Sequence, residues 1–417
     1  MPKKNWSVSG RRRLADHTGG FVLLLAAGSA VAAPSLTEAI TGGKASIDLR
    51  YRLETVDEDT TARDNATAST VRLRLGYETG AFYGFSAIVE AENLTALGGA
   101  AYNSGANGKA KYSLVPDPEF TEMNQAYLAY AGLPDTKLKW GRQRLTLDNH
   151  RFIGNVGWRQ NEQTFDAFTA VNQSLPNTTI TAGYIYNVNR VFSEESRIQP
   201  ADFEMSSPIL NVSYKGWSAG ELTGYAYLLD FDELPGNSAK TYGLRFSGNR
   251  GFGNVKALYS AEYATQSDYQ DNPSDFRNTY YLVEGGAAIS GITFKLGREL
   301  LGSDQTNTGV HRGFQTPLAT LHAFNGWVDM FLNTPADGLK DTYASVGTSV
   351  LGINLLAMYH DFRSDAGRNR YGKEWDVIAT KSFGKEYTLA AKYGMFDTKN
   401  RAYVDTNKFW LWGEMKF

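Results

Sequence analysis

Arginine recurs at every second position in two stretches of this chain: Arg50 and Arg52 in "KASIDLRYRLE", and Arg72 and Arg74 in "STVRLRLGYE". Side chains two apart on an extended chain leave the same face, roughly 7 Å from one another. A guanidinium binds carboxylate with two parallel N–H bonds, so such a ladder suits the guidance of anionic solutes. Asp48, Glu54, Glu90 and Glu92 stand close by in sequence or on adjoining stretches. Cross-strand ion pairs that brace a wide sheet are therefore the competing use of the same arginines. Lys139, Lys392 and Lys416 share the polar parity of their own stretches.

Two further segments stand out. "GRQRLTLDNHRFIGNVGWRQNEQTFDA", residues 141–167, carries Arg142, Arg144, Arg151 and Arg159 with Asp148 and Asp166. Its Phe152, Ile153 and Trp158 are too apolar for a free surface loop, so the segment is expected to fold inward against its own protein. In "TPLATLHAFNGWVDMFLNTPADG", residues 316–338, Leu318, Leu321, Trp327 and Phe331 follow a helical period. Pro317 suits the start of a helix and Pro335 lies beyond its end, which predicts a short helix here. Two extra strands are the alternative.

Catalytic chemistry finds little to stand on. Beyond the leader the histidines are His150, His311, His322 and His360, and there is no cysteine. His150 and His311 fall in loops where a triad with Ser or Asp is conceivable. No H-E-x-x-H motif is present. No catalytic residue, metal ligand or cofactor is assigned. The acidic run "VDEDTTARD" (56–64) reads as solvated rather than as a cation site.

The elements that position these residues are strands. Alternation with period two runs through nearly all of the chain after Gly43, one parity apolar and the other polar. Eighteen strand candidates result: 44–56, 67–78, 82–94, 120–131, 135–145, 163–171, 178–190, 204–214, 219–230, 240–248, 252–265, 276–288, 291–301, 338–350, 352–362, 373–383, 386–396 and 407–417, with sixteen as the lower alternative. Linkers alternate short and long, from "GLP" (132–134) and "ISG" (289–291) to 95–119, 146–162 and 302–337. Short turns at one end and long loops at the other predict an all-β fold, a single transmembrane antiparallel β-barrel of the outer-membrane type. A barrel this wide cannot be filled by wall side chains alone. Water and infolded loops must share the lumen, with the 316–338 helix lodged in or over the pore.

The amino terminus fits this. Lys3, Lys4 and Arg11–Arg13 precede the 13-residue apolar run Phe21–Ala33, and Ala30-Val31-Ala32 offers a cleavage site. The reading is a signal peptide over 1–32 and a barrel over 33–417. Removal of the leader, with five Lys/Arg and one acid, takes the formal charge from −2 to −6. That balance argues against nucleic acid as a partner. The chain closes on "NKFWLWGEMKF", a strand pattern running to Phe417 that reads as the strand sealing the barrel against the first one.

The Gly-Arg-Gln…Asp…Arg-Phe…Trp-Arg-Gln-Asn…Phe-Asp-Ala string in 141–167, "TPLATLHAFNGW" and "AMYHDF" (357–362) resemble the alginate-export family of Gram-negative outer-membrane channels. The resemblance implies an 18-stranded barrel whose arginine-lined lumen passes an anionic polyuronate, with Arg142, Arg144, Arg151, Arg159 and Asp166 belonging to the family string. A single-chain 18-stranded barrel with no obvious flattened face suggests a monomer in contact with outer-membrane lipid and lipopolysaccharide, and its terminal Phe417 resembles the signal read by the barrel-assembly machinery. Glu262, Glu284, Glu374 and Asp376 also face inward by parity, so the lumen is mixed in charge. The expected pore lining is Arg50, Arg52, Arg72, Arg74, Lys139, Arg142, Arg144, Arg151, Arg159, Asp166 and Lys392. The expected function is passage of hydrophilic, anionic or saccharide solutes; an outer-membrane enzyme or a purely structural barrel is the alternative.

Overall fold

The computed structural model describes residues 35–304 and 312–417. The leader 1–32 and His311 lie outside the described residues. A six-residue helix, α1 (Leu36–Thr41), opens the described chain, with Ser35 and Glu38 forming a reciprocal cap. Then come β1 (Lys44–Glu58), β2 (Ala66–Glu78), β3 (Phe85–Ala96), β4 (Phe120–Leu133), β5 (Thr136–Gln143), β6 (Thr164–Asn172), β7 (Thr178–Asn189), β8 (Asp202–Trp217), β9 (Gly220–Leu229), β10 (Ala239–Phe252), β11 (Val255–Asp268), β12 (Arg277–Ile289) and β13 (Ile292–Leu301). A two-residue hairpin, β14 (Ser303–Asp304) and β15 (Arg312–Gly313), stands apart inside the longest loop. The wall resumes with β16 (Leu339–Val350), β17 (Ile353–Arg363), β18 (Arg370–Phe383), β19 (Tyr387–Thr398) and β20 (Thr406–Lys416).

Eighteen of these strands form one antiparallel sheet, each paired with its neighbours along the chain. β1 pairs with β2 on one side and β20 on the other, from Asp48↔Lys416 to Glu58↔Thr406, so the sheet closes on itself. Closure leaves no backbone edge facing lipid, which a hydrocarbon layer demands. The seam ends where Phe417 N–H donates to the Ile47 carbonyl and Ile47 N–H to the Phe417 carbonyl, each at 2.9 Å. Deleting Phe417 removes this last bonded pair, worth about 1 kcal/mol per bond. A smaller heat-modifiable folded fraction on gels is the expected result; an undiminished fraction would count against the seam's need for this residue.

Burial is inverted relative to a water-soluble sheet. Arg52 and Arg72 are at most 1% exposed, while Leu296 is 70% and Trp140 62% exposed. A soluble sandwich would present polar side chains outward and bury the apolar ones. Here the outward parity is the apolar one, the signature of a wall against lipid. Tight turns close one end of the barrel. Ser290-Gly291 and Leu351-Gly352 have positive φ at both residues (50° and 83°, 53° and 73°), the primed geometry that matches strand twist. β10 runs to Phe252, past its expected end at 248, so the turn into β11 falls at Gly253-Asn254.

The long loops leave the other end, and two of them turn back inside. The loop after β5, residues 144–163, and the loop before β16, residues 314–338, lie against each other through a parallel Ile153↔Leu318 bridge. Gly154 N–H donates to the Leu318 carbonyl at 2.9 Å, and Thr320 N–H to the His150 carbonyl at 3.0 Å. The predicted helix over 316–338 does not form. Only a single 3-10 turn, Leu321–Ala323, is present. The apolar residues of the two inward loops enter separate aromatic nests instead of lining one helix face. Phe331 enters a nest of Phe362, Tyr371, Phe396 and Tyr403, and Phe152 enters another of Tyr225, Tyr227, Tyr280 and Phe314.

Candidate pore and its loop clamps

The arginine ladder meets the tip of the first inward loop. Arg50 donates to the Gly157 carbonyl at 3.3 Å and the Arg159 carbonyl at 2.8 Å. Arg52 donates to the Trp158 carbonyl at 2.5 Å, and its guanidinium lies 4.3 Å from the centre of the Trp158 ring. Arg72 and Arg74 both reach the Gln160 carbonyl at 3.4 Å. Four consecutive backbone carbonyls, 157–160, are thus held by guanidiniums from β1 and β2. A loop taken out of water must satisfy such groups within the protein, and the wall arginines do so.

Carboxylates complete the clamp. Arg72 also contacts Asp48 at 2.6 Å and Glu414 at 3.4 Å. Arg74 pairs with Glu92 and, at 3.1 Å, with Glu162 of the loop. Arg144 bridges Glu90 and Glu162. Arg159 reverses the direction: it projects from the loop and grips Glu54 on β1 with both terminal nitrogens, at 3.0 and 3.1 Å. Asp117 and Asp329 lie 3.6 and 4.0 Å from the same guanidinium. Burial works against the Arg159 charge, and the three carboxylates more than offset it, so the group stays ionised.

The wall on the β20 side of β1, from β13 to β19, holds the second loop with inverted chemistry. There, carboxylates on strands accept from loop donors. Val328 N–H donates to Glu374 at 2.7 Å and Trp327 N–H to Asp376 at 3.3 Å. Glu299 accepts from Arg151 at 2.7 Å and from the Asn325 amide at 2.6 Å. His360 makes a 2.9 Å contact with Asp341, a structural use of that histidine. Lys392 on β19 lies 4.1 Å and 3.8 Å from the ring centres of Trp158 and Trp327, one from each loop. Its ammonium is 2.6 Å from His322 Nε2, while His322 Nδ1 is 2.7 Å from Asp329. Lys392 therefore joins both loops to the wall at one point.

Most expected lining residues thus face the lumen, where their main work is anchoring. Lys139 faces in as well, 4.9 Å from the Tyr127 ring. Arg142 and Asp166 depart from the expectation. Asp166 stands between Phe165 and Ala167, both fully buried, and shares its parity with the exposed Phe168. Arg142 lies across from it and shares parity with the exposed Trp140. The two form a fork at 2.9 and 3.2 Å on the outer wall, outside the pore. The sequence reading took them inward with Arg144, yet Arg144 follows the last residue of β5 and is free of its alternation. Glu54 had been named only as a brace between strands, whereas its partner is Arg159 of the loop; Asp117, Glu299 and Gln160 were not singled out, and inward parity could have found Glu299, but nothing in sequence marks the loop partners. Among the described residues, no group of His, Cys, Asp or Glu is arranged to hold a metal ion.

Space remains beside the clamps. A cavity of about 460 Å³ near the short-turn end is lined by Asp48, Arg72, Arg74, Glu90, Arg144, Glu162, Glu414 and Lys416. Four cations face four carboxylates there. A second cavity, about 410 Å³, lies toward the long-loop end among Lys109, Glu119, Glu122, Glu194 and Glu195.

A closed 18-stranded barrel with an apolar outer wall and a polar, loop-narrowed lumen is an integral outer-membrane channel of the porin type. The alginate export family matches residues 44–268, more than half of the chain, and the chain belongs to that family. The match covers the 141–167 string but ends before "TPLATLHAFNGW" and "AMYHDF". Similar solved structures include OpdK of Pseudomonas aeruginosa, crystallised with vanillate, at 13% identity and a TM-score of 0.67, covering 91% of this chain and 99% of that one. OccAB4 and OccAB3 of Acinetobacter baumannii each reach a TM-score of 0.70 at 14% identity, covering 90% and 91% of this chain and 98% and 100% of theirs. No curated protein matches the chain. The protein is a channel for hydrophilic solutes and not an enzyme.

Proposed function

We propose that the channel passes small hydrophilic solutes, saccharide or carboxylate-bearing, and not an extended polyuronate chain. The observation that carries this reading is the commitment of the arginine ladder to the carbonyls of residues 157–160. Guanidiniums engaged with loop and carboxylate partners form a narrow lumen of balanced charge. The solute route runs along the β1–β4 wall, from the glutamate-lined outer cavity to the basin holding Arg72, Arg74, Arg144 and Lys416. Near-equal numbers of opposite charges favour polar solutes with weak sign preference, and Lys139 and Lys416 tip it toward anions.

Two partner readings accompany this. The pairing of Phe417 into the seam agrees with its use as the signal read by the barrel-assembly machinery, and the continuous apolar belt agrees with a monomer surrounded by lipid.

The test is reconstitution. In planar bilayers under a salt gradient, a small conductance with slight anion preference is expected. In swelling assays, entry should fall steeply from disaccharides to longer oligouronates. Swelling with long polyuronates as fast as with disaccharides would overturn the size reading. Clear cation preference would overturn the charge reading, and absence of conductance would overturn the channel itself.

A further inference from the structure

The outer wall is charged unevenly around its circumference. At the long-loop ends of β13, β16, β17 and β18, the outward residues are Arg298, Lys340, Arg363, Arg370 and Lys373. Each flanks a lumen-facing neighbour or is paired with one that does: Glu299, Leu339, Phe362 and Glu374 are 4% exposed or less. Registration packs these cations together. Arg363 stands directly across from Lys340 on one side and Arg370 on the other. Like charges set opposite one another on neighbouring strands repel. Asp361 relieves part of this, 2.6 Å from Arg363 and 3.5 Å from Arg370, and Asp365 lies 2.8 Å from Lys340. Asp397, across from Lys373, is taken up by Lys399 at 2.7 Å. Five cations face two carboxylates, and the Arg363 and Arg370 side chains remain about half exposed, at 55% and 48%.

The height of this patch is fixed by what lies beneath it. Tyr359 and Trp375 are register partners with rings 4.8 Å apart, two residues closer to the membrane centre than Asp361 and Lys373. Below them the outward face is apolar, with Leu355, Val377, Phe294 and Leu296 exposed. Aromatic side chains of this kind mark the boundary between hydrocarbon and headgroups. The cations therefore stand at headgroup level, on the side of the long loops.

We propose that this face binds the phosphates of an outer-leaflet glycolipid. The inference rests on the outer-membrane placement and gives its lipid contact a location. Planar guanidiniums suit phosphate oxygens bidentately, and a phosphate between Arg363, Arg370 and Lys340 supplies the negative charge that the wall lacks. The far wall does not offer this. At the corresponding height, β5–β8 present Asp166, Asp202 and Glu204 outward, and Arg142 is closed onto Asp166.

Titration of the folded, detergent-solubilised barrel with bis-phosphorylated lipid A and with its dephosphorylated form, read by native mass spectrometry, tests this on the unaltered protein. A preference of at least about tenfold for the phosphorylated form is expected from charge-assisted bonds. The combined Arg298→Gln, Arg363→Gln, Arg370→Gln variant should lose the preference, and Asp202→Asn with Glu204→Gln on the far wall should keep it. Equal binding of the two lipid forms, or an undiminished preference in the triple variant, would overturn the proposal. Displacement of lipid A by inorganic phosphate at low concentration would overturn it in favour of a free-phosphate site. Conductance plays no part in the readout, so failure here leaves the channel reading standing.

Discussion

Replacing Arg159 with Met should widen the pore rather than narrow it. The Arg159 side chain is 6% exposed and Glu54 is 1%, so the substitution strands Glu54 and Asp117 in a dry site. Removing one partner of a buried ion pair costs about 3–5 kcal/mol, because the remaining charge is left uncompensated. The loop has a cheaper outcome than staying in place. It can withdraw, let water reach Glu54, and give up the contacts of residues 157–160 with the arginine ladder. Single-channel conductance should rise several-fold and size exclusion should relax, while the barrel wall, held by its own ladder of backbone bonds, stays folded. Adding Glu54→Gln to Arg159→Met removes the stranded charge and should restore part of the original conductance. A drop in conductance with an intact loop would mean that Arg159 serves the solute directly and does not clamp.

The contrast between wall and loops explains what could be read from sequence. A bilayer imposes period-two alternation and full backbone pairing, so strand positions emerge to within a few residues, as for 44–56 against Lys44–Glu58 and 407–417 against Thr406–Lys416. The outward placement of Arg142 and Asp166 was also legible, since Trp140 and Phe168 share their parities and are too apolar for the lumen. The inward turn of 141–167 was announced by Phe152, Ile153 and Trp158. The shape of 316–338 was not. Its amides bond to Glu374 and Asp376, whose distance in sequence is some fifty residues and whose nearness depends on closure of the barrel. The helical spacing misled because these residues have separate long-range partners: Leu318 meets Ile153 of the other loop, Trp327 meets Lys392, and Phe331 meets Phe362 and Phe396, which local periodicity cannot reveal.

The same dependence on closure governs the arginines. Read alone, Arg50, Arg52, Arg72 and Arg74 form a binding ladder for anions. In the closed barrel their partners come from a loop about a hundred residues away in sequence, and the open space shrinks to the basin beside them. Charge counts along strands therefore overstate the selectivity of a lumen that is occupied by its own loops.

Acidification should loosen the joint between the two loops, and His322 is the residue that should report it. Its Nδ1 faces Asp329 and its Nε2 faces the Lys392 ammonium. Only the neutral ring satisfies both: Nδ1–H donates to the carboxylate and Nε2 accepts from the ammonium. Burial pushes the His322 pKa down to about 3, with the Lys392 charge adding to the effect and Asp329 opposing it. A group that is harder to protonate when folded stabilises the closed joint above its unfolded pKa of about 6.5, and this stabilisation is lost as pH falls toward the folded value. The cost is about 1.4 kcal/mol per pH unit over that window, or ~3 kcal/mol by pH 4.5. Protonation places an Nε2–H against the ammonium, so the 320–329 segment should part from Lys392 and Trp158. Hydrogen exchange in 320–329 and current fluctuations should both increase between pH 6.5 and 4.5. His322→Gln separates the histidine from every other proton-binding group, because the amide keeps a donor and an acceptor but carries no proton equilibrium. The variant should lose most of the pH dependence above pH 5; an unchanged profile would place the sensor in the carboxylates instead.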